Sequence, residues 1–556
     1  MHAPSSMSLF PSSWWQALVL GIGGGVLLWV GTATAQPTPG PAAKPQPGID
    51  VQEYDFALTL SDTTDRIEGT ATVRVRVTTD TLSAVRLDLI GQSAGTETGM
   101  QVRSVLEDGR AVPYRHTDDI LRLRPSPLAE GQTRTFRIRY AGVPADGLII
   151  GTNQHGDRTF FGDNWPNRAR HWLPVVDHLS DKAPVEFRVT APAKYEVVSN
   201  GALVRDSTSG DTRYTHWRSD VPLPPKVMVI GVADFAVDTA GTVDGVPVQS
   251  WVYPEDRRVG FEDLGQAPPI LRFFEENLGP YPYEKLANVQ STTRYGGMEN
   301  AASIFYSEQA VADGEDSTPL LAHEIAHQWF GNTVTEADWP HLWLSEGVAT
   351  YLTGLYLEHA RGEAALRRYM DRARTQTVRF HEQNPDAPLV DTTFSDPTEL
   401  LNTNPYQKGA WVLHMLRREV GTDTFWAGLR AYYERYRNGN ASTRDFRAVM
   451  EDVSGQDLHA FFEQWTRRPG HPVIEGTWRH DAAADECVVT LRQTQAEPPF
   501  EVPVEVAVAD ERSRTTTLYL QGREAQARVA CPQAPSSVSL DPHTDLLAEL
   551  SMRRAE

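Results

Sequence analysis

Leu321-Ala322-His323-Glu324-Ile325-Ala326-His327-Gln328-Trp329-Phe330 is the stretch on which the fold turns. On an α-helix, residues four apart stand one turn above each other on a single face, so His323 and His327 can direct two imidazoles at one metal ion. Flanking residues support a helix here: Thr318 is the expected N-cap, Pro319 suits the first turn, where its missing N–H costs nothing, and Gly331 is expected to end it. Glu324 lies about 100° around such a helix from His323. It faces the same cavity from another side, where a carboxylate can take a proton from metal-bound water.

Two imidazoles need a third partner. Nineteen residues after His327, on a second helix expected from residue 340 to about residue 360, stands Glu346 in Trp343-Leu344-Ser345-Glu346-Gly347. Its apolar company, Trp343, Leu344 and Val348, argues that it points inward. Two histidines and one carboxylate leave a fourth position open for water, which is the donor set of a catalytic zinc ion rather than a structural one. Zinc lowers the pKa of that water towards about 7, so Glu324 has only a modest task as general base.

Outward from this motif the periodicity changes twice. From residue 54 to about 252 the chain alternates with period two, as in Thr70-Ala71-Thr72-Val73-Arg74-Val75-Arg76-Val77, in residues 136–140 and around residues 227–230. Between residues 261 and 468 the period is helical, with long segments at 342–360 and 410–420; after about residue 471 strand-like runs return, for example at 502–508. We therefore expect a multidomain α+β protein: a β domain over 51–255, a mainly helical domain over 256–470 that carries the metal motif, and a small β domain over 471–556. A length of 556 residues suits three such cores.

The termini and the charge balance bound the setting. Residues 1–35 contain no Asp, Glu, Lys or Arg, are apolar over 14–30, and end in Ala33-Thr34-Ala35, the pattern of a cleavable signal peptide. A Pro-rich linker over 36–50 comes next. The apolar run is short and glycine-rich for a membrane span, so export with no stable membrane insertion after cleavage is the expectation, and tethering by an uncleaved segment the alternative. With 52 basic and 73 acidic side chains the formal charge is 52 − 73 = −21, which repels phosphate backbones and excludes nucleic acid as a partner. Cys487 and Cys531 fall outside the metal-bearing domain; they either pair in an oxidising compartment or stay as two buried thiols.

Upstream of the metal motif lies Tyr295-Gly296-Gly297-Met298-Glu299-Asn300. Taken with His323-Glu324-x-x-His327 and Glu346, and with the spacing of all three, it resembles the G-x-M-E-N signature of the gluzincin zinc aminopeptidases related to aminopeptidase N and leukotriene hydrolase. The resemblance implies a β saddle as first domain, a thermolysin-like catalytic domain and a C-terminal β sandwich. It implies one zinc ion held by His323, His327 and Glu346. Gly296, Gly297, Met298 and Asn300 would then form a substrate-binding segment whose strand edge pairs with an extended peptide, and Glu299 the carboxylate that binds the peptide's α-ammonium. Tyr406, in Asn404-Pro405-Tyr406-Gln407-Lys408-Gly409, matches the family's Y-x-K-G element; with Asn404 as N-cap it would stand in the first turn of a helix and donate a hydrogen bond to the oxyanion.

The implied activity is hydrolysis of the N-terminal peptide bond, with peptides bearing a free N-terminus as partners. A thermolysin-like endopeptidase and an exported zinc-containing binding protein without catalysis are the alternatives. Leu173-Pro174-Val175-Val176-Asp177 and Asp181-Lys182-Ala183 resemble further family elements. One element departs: Trp165, in Asn164-Trp165-Pro166-Asn167, stands where the family often has Glu or Gln as a second amine anchor, leaving Asn164 or Asn167 as substitutes. The preferred N-terminal residue, the peptide length and the oligomeric state are not legible in the sequence.

Overall fold

Alternation dictates the first sheets. In Ile67–Val77 the residues Ile67, Ala71, Val73, Val75 and Val77 are buried while Arg74 and Arg76 reach solvent, the pattern of a strand with one face on a core. The computed structural model describes residues 46–80, 82–93, 95–509 and 514–555, so the expected signal peptide over 1–35 and most of the linker over 36–50 lie outside the described residues. By their contacts the described residues divide into two compact units. One holds residues 46–337, 395–401 and 436–440; the other holds 338–394, 402–435 and 441–555.

The first unit is built on an eight-stranded sheet with Ile49–Thr59 and Ile67–Val77 near its middle and Ala202–Ser209 at one edge. Its central pairing sets Tyr54 opposite Val73 on one side, antiparallel, and opposite Val185 on the other, parallel. A four-stranded sheet contains Arg158–Gly162 and Ile230–Ala233, and a three-stranded one contains Val85–Asp88 and Ile120–Leu123. The five-stranded sheet matters most for the site. It runs Ala236–Val243, Val246–Val252, Leu286–Ser291, Ser303–Ser307 and Gly297–Met298, in that spatial order. Its three inner strands are parallel, and Leu286–Ser291 is buried along its whole length, as parallel strands covered on both faces are. Gly297–Met298 is therefore an edge strand.

Helices dominate the start of the second unit. Trp343–Arg361 and Gly409–Val420 match the periodic segments at 342–360 and 410–420 within two residues. They cross at two glycines: a Cβ on Gly347 would lie 2.9 Å from the Gly409 Cα and 2.8 Å from the Pro405 carbonyl oxygen, so only glycine allows this approach. The C-terminal residues form a four-stranded sheet containing Val473–Asp481 and Glu486–Gln493 and a three-stranded sheet containing Val502–Ala509. Cys487 and Cys531 are joined there as a disulfide, with Cα atoms 5.4 Å apart, which settles the choice left open by the sequence. Among the described residues no helix is long and apolar enough to cross a membrane.

Candidate active site

The metal-motif helix runs Thr318–Ala326, shorter than its flanks suggest, and two of the expected signals act differently. Ser317, not Thr318, is the N-cap residue; its hydroxyl donates to the Asp263 carbonyl instead of capping. Gly331 does not end the helix but supplies a left-handed turn, φ 119°, four residues past His327. His327 is itself the C-cap residue, and the next residues wind into tighter turns, with the Gln328 and Trp329 amides donating to the Ile325 and Ala326 carbonyls. The helical register between the two histidines survives, because His327 still donates its amide to the His323 carbonyl.

The ring nitrogens converge. His323 Nε2 and His327 Nε2 lie 3.1 Å apart, close to the separation of about 3.3 Å that two nitrogens have around a tetrahedral ion at ordinary bond lengths. His327 Nδ1–H donates to the Phe330 carbonyl at 3.1 Å, which leaves the lone pair on Nε2, the tautomer a ligand needs. His323, His327 and Glu346 are all buried, and together they are a group that could hold a metal ion. This donor set, two imidazole nitrogens and a carboxylate oxygen in a shielded place, fits a zinc ion.

Glu324 packs against the edge strand. A Cβ added to Gly297 would stand 2.3 Å from Glu324 Oε1 and 2.5 Å from its carboxyl carbon, so the glycine is what makes room for this carboxylate. Burial, reinforced by the nearby Glu324 charge, holds the Tyr306 phenol well above its ordinary pKa range, and Tyr306 lies opposite Gly297 in the sheet and donates to Asn288 Oδ1 at 3.1 Å. The loop after the edge strand is fastened to the metal-motif segment by two amides. Gln328 Nε2 and Asn332 Nδ2 donate to the Glu299 carbonyl at 3.0 and 2.6 Å, and Gln328 Oε1 accepts from the Ala302 amide at 3.0 Å. Met298, Glu299 and Asn300 are buried; Gly296 and Gly297 are half-buried, and the Gly296 carbonyl accepts from the Ser307 amide.

Glu346 and Tyr406 have separate mounts that the glycine crossing brings side by side. Glu346 stands in the first turn of Trp343–Arg361, whose start is held by Trp343 Nε1 and His341 Nδ1, each 2.9 Å from Thr443 Oγ1. Tyr406 is half-buried in a wide π-helical turn, Asn404–Lys408, that leads directly into Gly409–Val420. Asn404 is not its cap. Its side-chain amide donates to the Ala387 and Pro388 carbonyls, tying the turn to a distant loop, and Thr403 takes the N-cap position. Lys408 is buried and donates to the Arg468 carbonyl at 3.3 Å; burial pushes its ammonium down to about 7.

Comparison with known proteins agrees with this geometry. Residues 262–465 match the peptidase family M1 domain. The chain is 29% identical over 322 residues to aminopeptidase M1-A of Oryza sativa subsp. japonica, covering 56% of this chain and 37% of the relative. It is 27% identical over 358 residues to human glutamyl aminopeptidase, 61% of this chain and 37% of that one, and 25% identical over 449 residues to aminopeptidase M1 of Arabidopsis thaliana, 76% and 50%. A crystal structure of an M1 zinc metallopeptidase from Deinococcus radiodurans superposes with a TM-score of 0.65 at 26% identity, covering 76% of this chain and 95% of that one. The metal-motif region of the chain is thus similar to the peptidase family M1 domain. The donor set suits zinc, the metal named for the Deinococcus radiodurans peptidase. The chain spans about a third to a half of the length of these curated relatives.

Within this M1 frame three residues acquire meanings that the sequence did not supply. Asn164 is no substitute amine anchor: its amide donates to the Pro225 and Met228 carbonyls and its oxygen accepts from Trp172 Nε1, so its side chain is consumed by structure. Trp165 is buried and packs edge-on against Tyr295, with ring centroids 6.1 Å apart, giving an apolar wall beside Gly296. Lys226 was missed entirely. It is buried, donates to Glu336 Oε1 at 2.8 Å, and lies 3.9 Å from Glu299 Oε1. One signal was available: it is the lone charge in the apolar run between Asp220 and Asp234.

Proposed function

We propose that this protein is a zinc-dependent aminopeptidase that hydrolyses the N-terminal peptide bond of peptides. The observation that carries the reading is the packing of Glu324 on Gly297, two residues before Glu299. Two residues of chain span at most about 7 Å, so the backbone of Glu299, the carboxylate suited to an α-ammonium, lies within that reach of the strand residue on which the general base packs. That nearness favours exopeptidase over endopeptidase action.

Each residue of the site then has a distinct task. His323, His327 and Glu346 hold the zinc ion, which when bound supplies Lewis acidity to the scissile carbonyl and a readily ionised water. Gly296, Gly297 and Met298 offer backbone groups of a sheet edge to the extended peptide, and Asn300 shapes the turn after it. Glu299 receives the ammonium through charge-assisted hydrogen bonds. Glu324 takes the proton of the attacking water and passes it to the leaving amine. Tyr406 donates its phenolic proton in a hydrogen bond to the oxygen that becomes negative when water adds.

The β regions are read in the same frame: the strands before residue 255 as the family's saddle, residues 256–470 as the thermolysin-like domain, and the two C-terminal sheets as its sandwich. Export to a periplasm or exterior is the reading of residues 1–35, and the disulfide is in keeping with an oxidising compartment. The test is a panel of L-amino-acid p-nitroanilides offered to the zinc-loaded protein. Turnover that disappears with a chelator and returns with zinc is expected; a panel left uncleaved by fully zinc-loaded, folded protein would overturn the reading.

A further inference from the structure

Glu299 has a cation behind it. The Lys226 ammonium stands 3.9 Å from Glu299 Oε1, with 1% of its side chain exposed, and donates a hydrogen bond to Glu336 Oε1 at 2.8 Å. Glu336 is fully buried, so removing Lys226 from it would leave an uncompensated charge, and the lysine is correspondingly fixed. Its backbone is fixed as well. The Pro225–Val227 turn gives its carbonyls to Asn164 and Asn200, and the Met228 carbonyl goes to Asn164. Close by, Lys182 donates to the carbonyls of Asn332, Thr333 and Gly439, and its charge acts on both Lys226 and Glu336. Lys182 thus sets a second basic group beside the Lys226–Glu336 pair.

A substrate ammonium that binds Glu299 must approach a carboxylate whose field is already partly cancelled, with a second positive charge just beyond it. In a shielded site that repulsion is weakly screened. Resting on the reading of Glu299 as the amine-binding group, we propose that Lys226 is a specificity-determining residue: an internal cation that competes with the substrate's α-ammonium for Glu299 and makes the enzyme less demanding of a charged N-terminus. Glu336 is the residue that holds Lys226 in this position.

The experiment compares steady-state kinetics of the full zinc-loaded chain and its variants on the best L-amino-acid p-nitroanilide and on its N-acetyl form. Lys226→Gln keeps a donor for Glu336 and removes the charge; Lys226→Met with Glu336→Gln removes the ion pair as a neutral unit and guards against misfolding of the single change. Both are expected to lower KM for the free amine about tenfold and to widen its advantage over the acetylated substrate, while Lys226→Arg, which keeps the charge, stays near the wild-type KM. An unchanged or raised KM in both charge-removing variants overturns the proposal. Glu299→Gln, run alongside, separates the two layers. If it leaves the preference for a free amine intact, the amine-site reading falls and the proposal with it; if it abolishes the preference while the Lys226 variants are silent, only the proposal falls.

Discussion

Gly297 shows how much one missing methyl can decide. The family resemblance implied a strand edge here that pairs with a peptide, and the structure adds a reason of its own, because a Cβ would overlap the Glu324 carboxylate. Gly297→Ala should therefore lower kcat about a hundredfold by displacing the base by an ångström or more, with little change in thermal stability. A variant with wild-type kcat would show that Glu324 has slack. Glu324→Gln should retain one zinc per chain, measured by elemental analysis, and lose turnover by a factor of about 10² to 10⁴, the range for removal of a general base. The two histidines were legible because helix geometry sets residues four apart on one face, and Glu346 because two imidazoles call for a third ligand. Lys226 was not, since its partner Glu336 is 110 residues away and only the folded chain brings them together.

Elements carry this precision only where they are braced. The helix Thr318–Ala326 ends at the second histidine, and the segment beyond it is held by Gln328, which is fully buried and spans from the Ala302 amide to the Glu299 carbonyl. Gln328→Leu leaves a buried amide without its acceptor and should cost about 1 to 3 kcal/mol, read as a shift in the denaturant midpoint at unchanged slope. Its kinetic effect should fall on KM, because the loop it braces carries Glu299. A midpoint equal to wild type would mean that water or Asn332 takes over the role. The cap at Thr318 was misread by one residue, since Ser317 holds the N-cap position, and the cap at Asn404 for a physical reason. A short polar side chain next to a helix start caps only if no tertiary partner claims it, and Asn404 is claimed by carbonyls 16 and 17 residues upstream in sequence. The wide turn around Tyr406 was equally illegible, since no local preference specifies a π turn. The strands fared better, because period-two burial is written into Ile67–Val77 and Val502–Ala509 residue by residue.

At the scale of the whole molecule, stability and chemistry are separated along the chain. The bond between Cys487 and Cys531 closes a separation of 44 residues in the C-terminal sheets, for which the chain-entropy model gives about 4 kcal/mol. Replacing both cysteines with serine should lower the unfolding midpoint of that region and leave kcat unaltered; a loss of kcat at a temperature where the variant is folded would tie the sheets to catalysis. Acid sensitivity has a definite contributor in His171, whose imidazole is pushed down to about 4 by burial, with Asp146 opposing. Between pH 4 and about 6.5 the unfolded chain takes up a proton that the native chain refuses, so this group adds stability that is full above pH 6.5 and is lost as pH falls towards 4. His171→Asn should flatten that part of the stability profile. A titration of the His171 ring by NMR with a midpoint near 6.5 would contradict it.

The net charge of −21, which at first only excluded nucleic acid, matters less to the site than three buried charges, Lys226, Glu299 and Glu336. The central claim is that the zinc site acts on the first peptide bond because Glu299 measures one residue from the N-terminus. The most direct measurement is the ratio of kcat/KM for a peptide with a free N-terminus to that for the same peptide N-acetylated, with the cleaved bond identified by mass spectrometry. The account predicts loss of the first residue alone and a ratio well above one; equal cleavage of both peptides at an internal bond would contradict it.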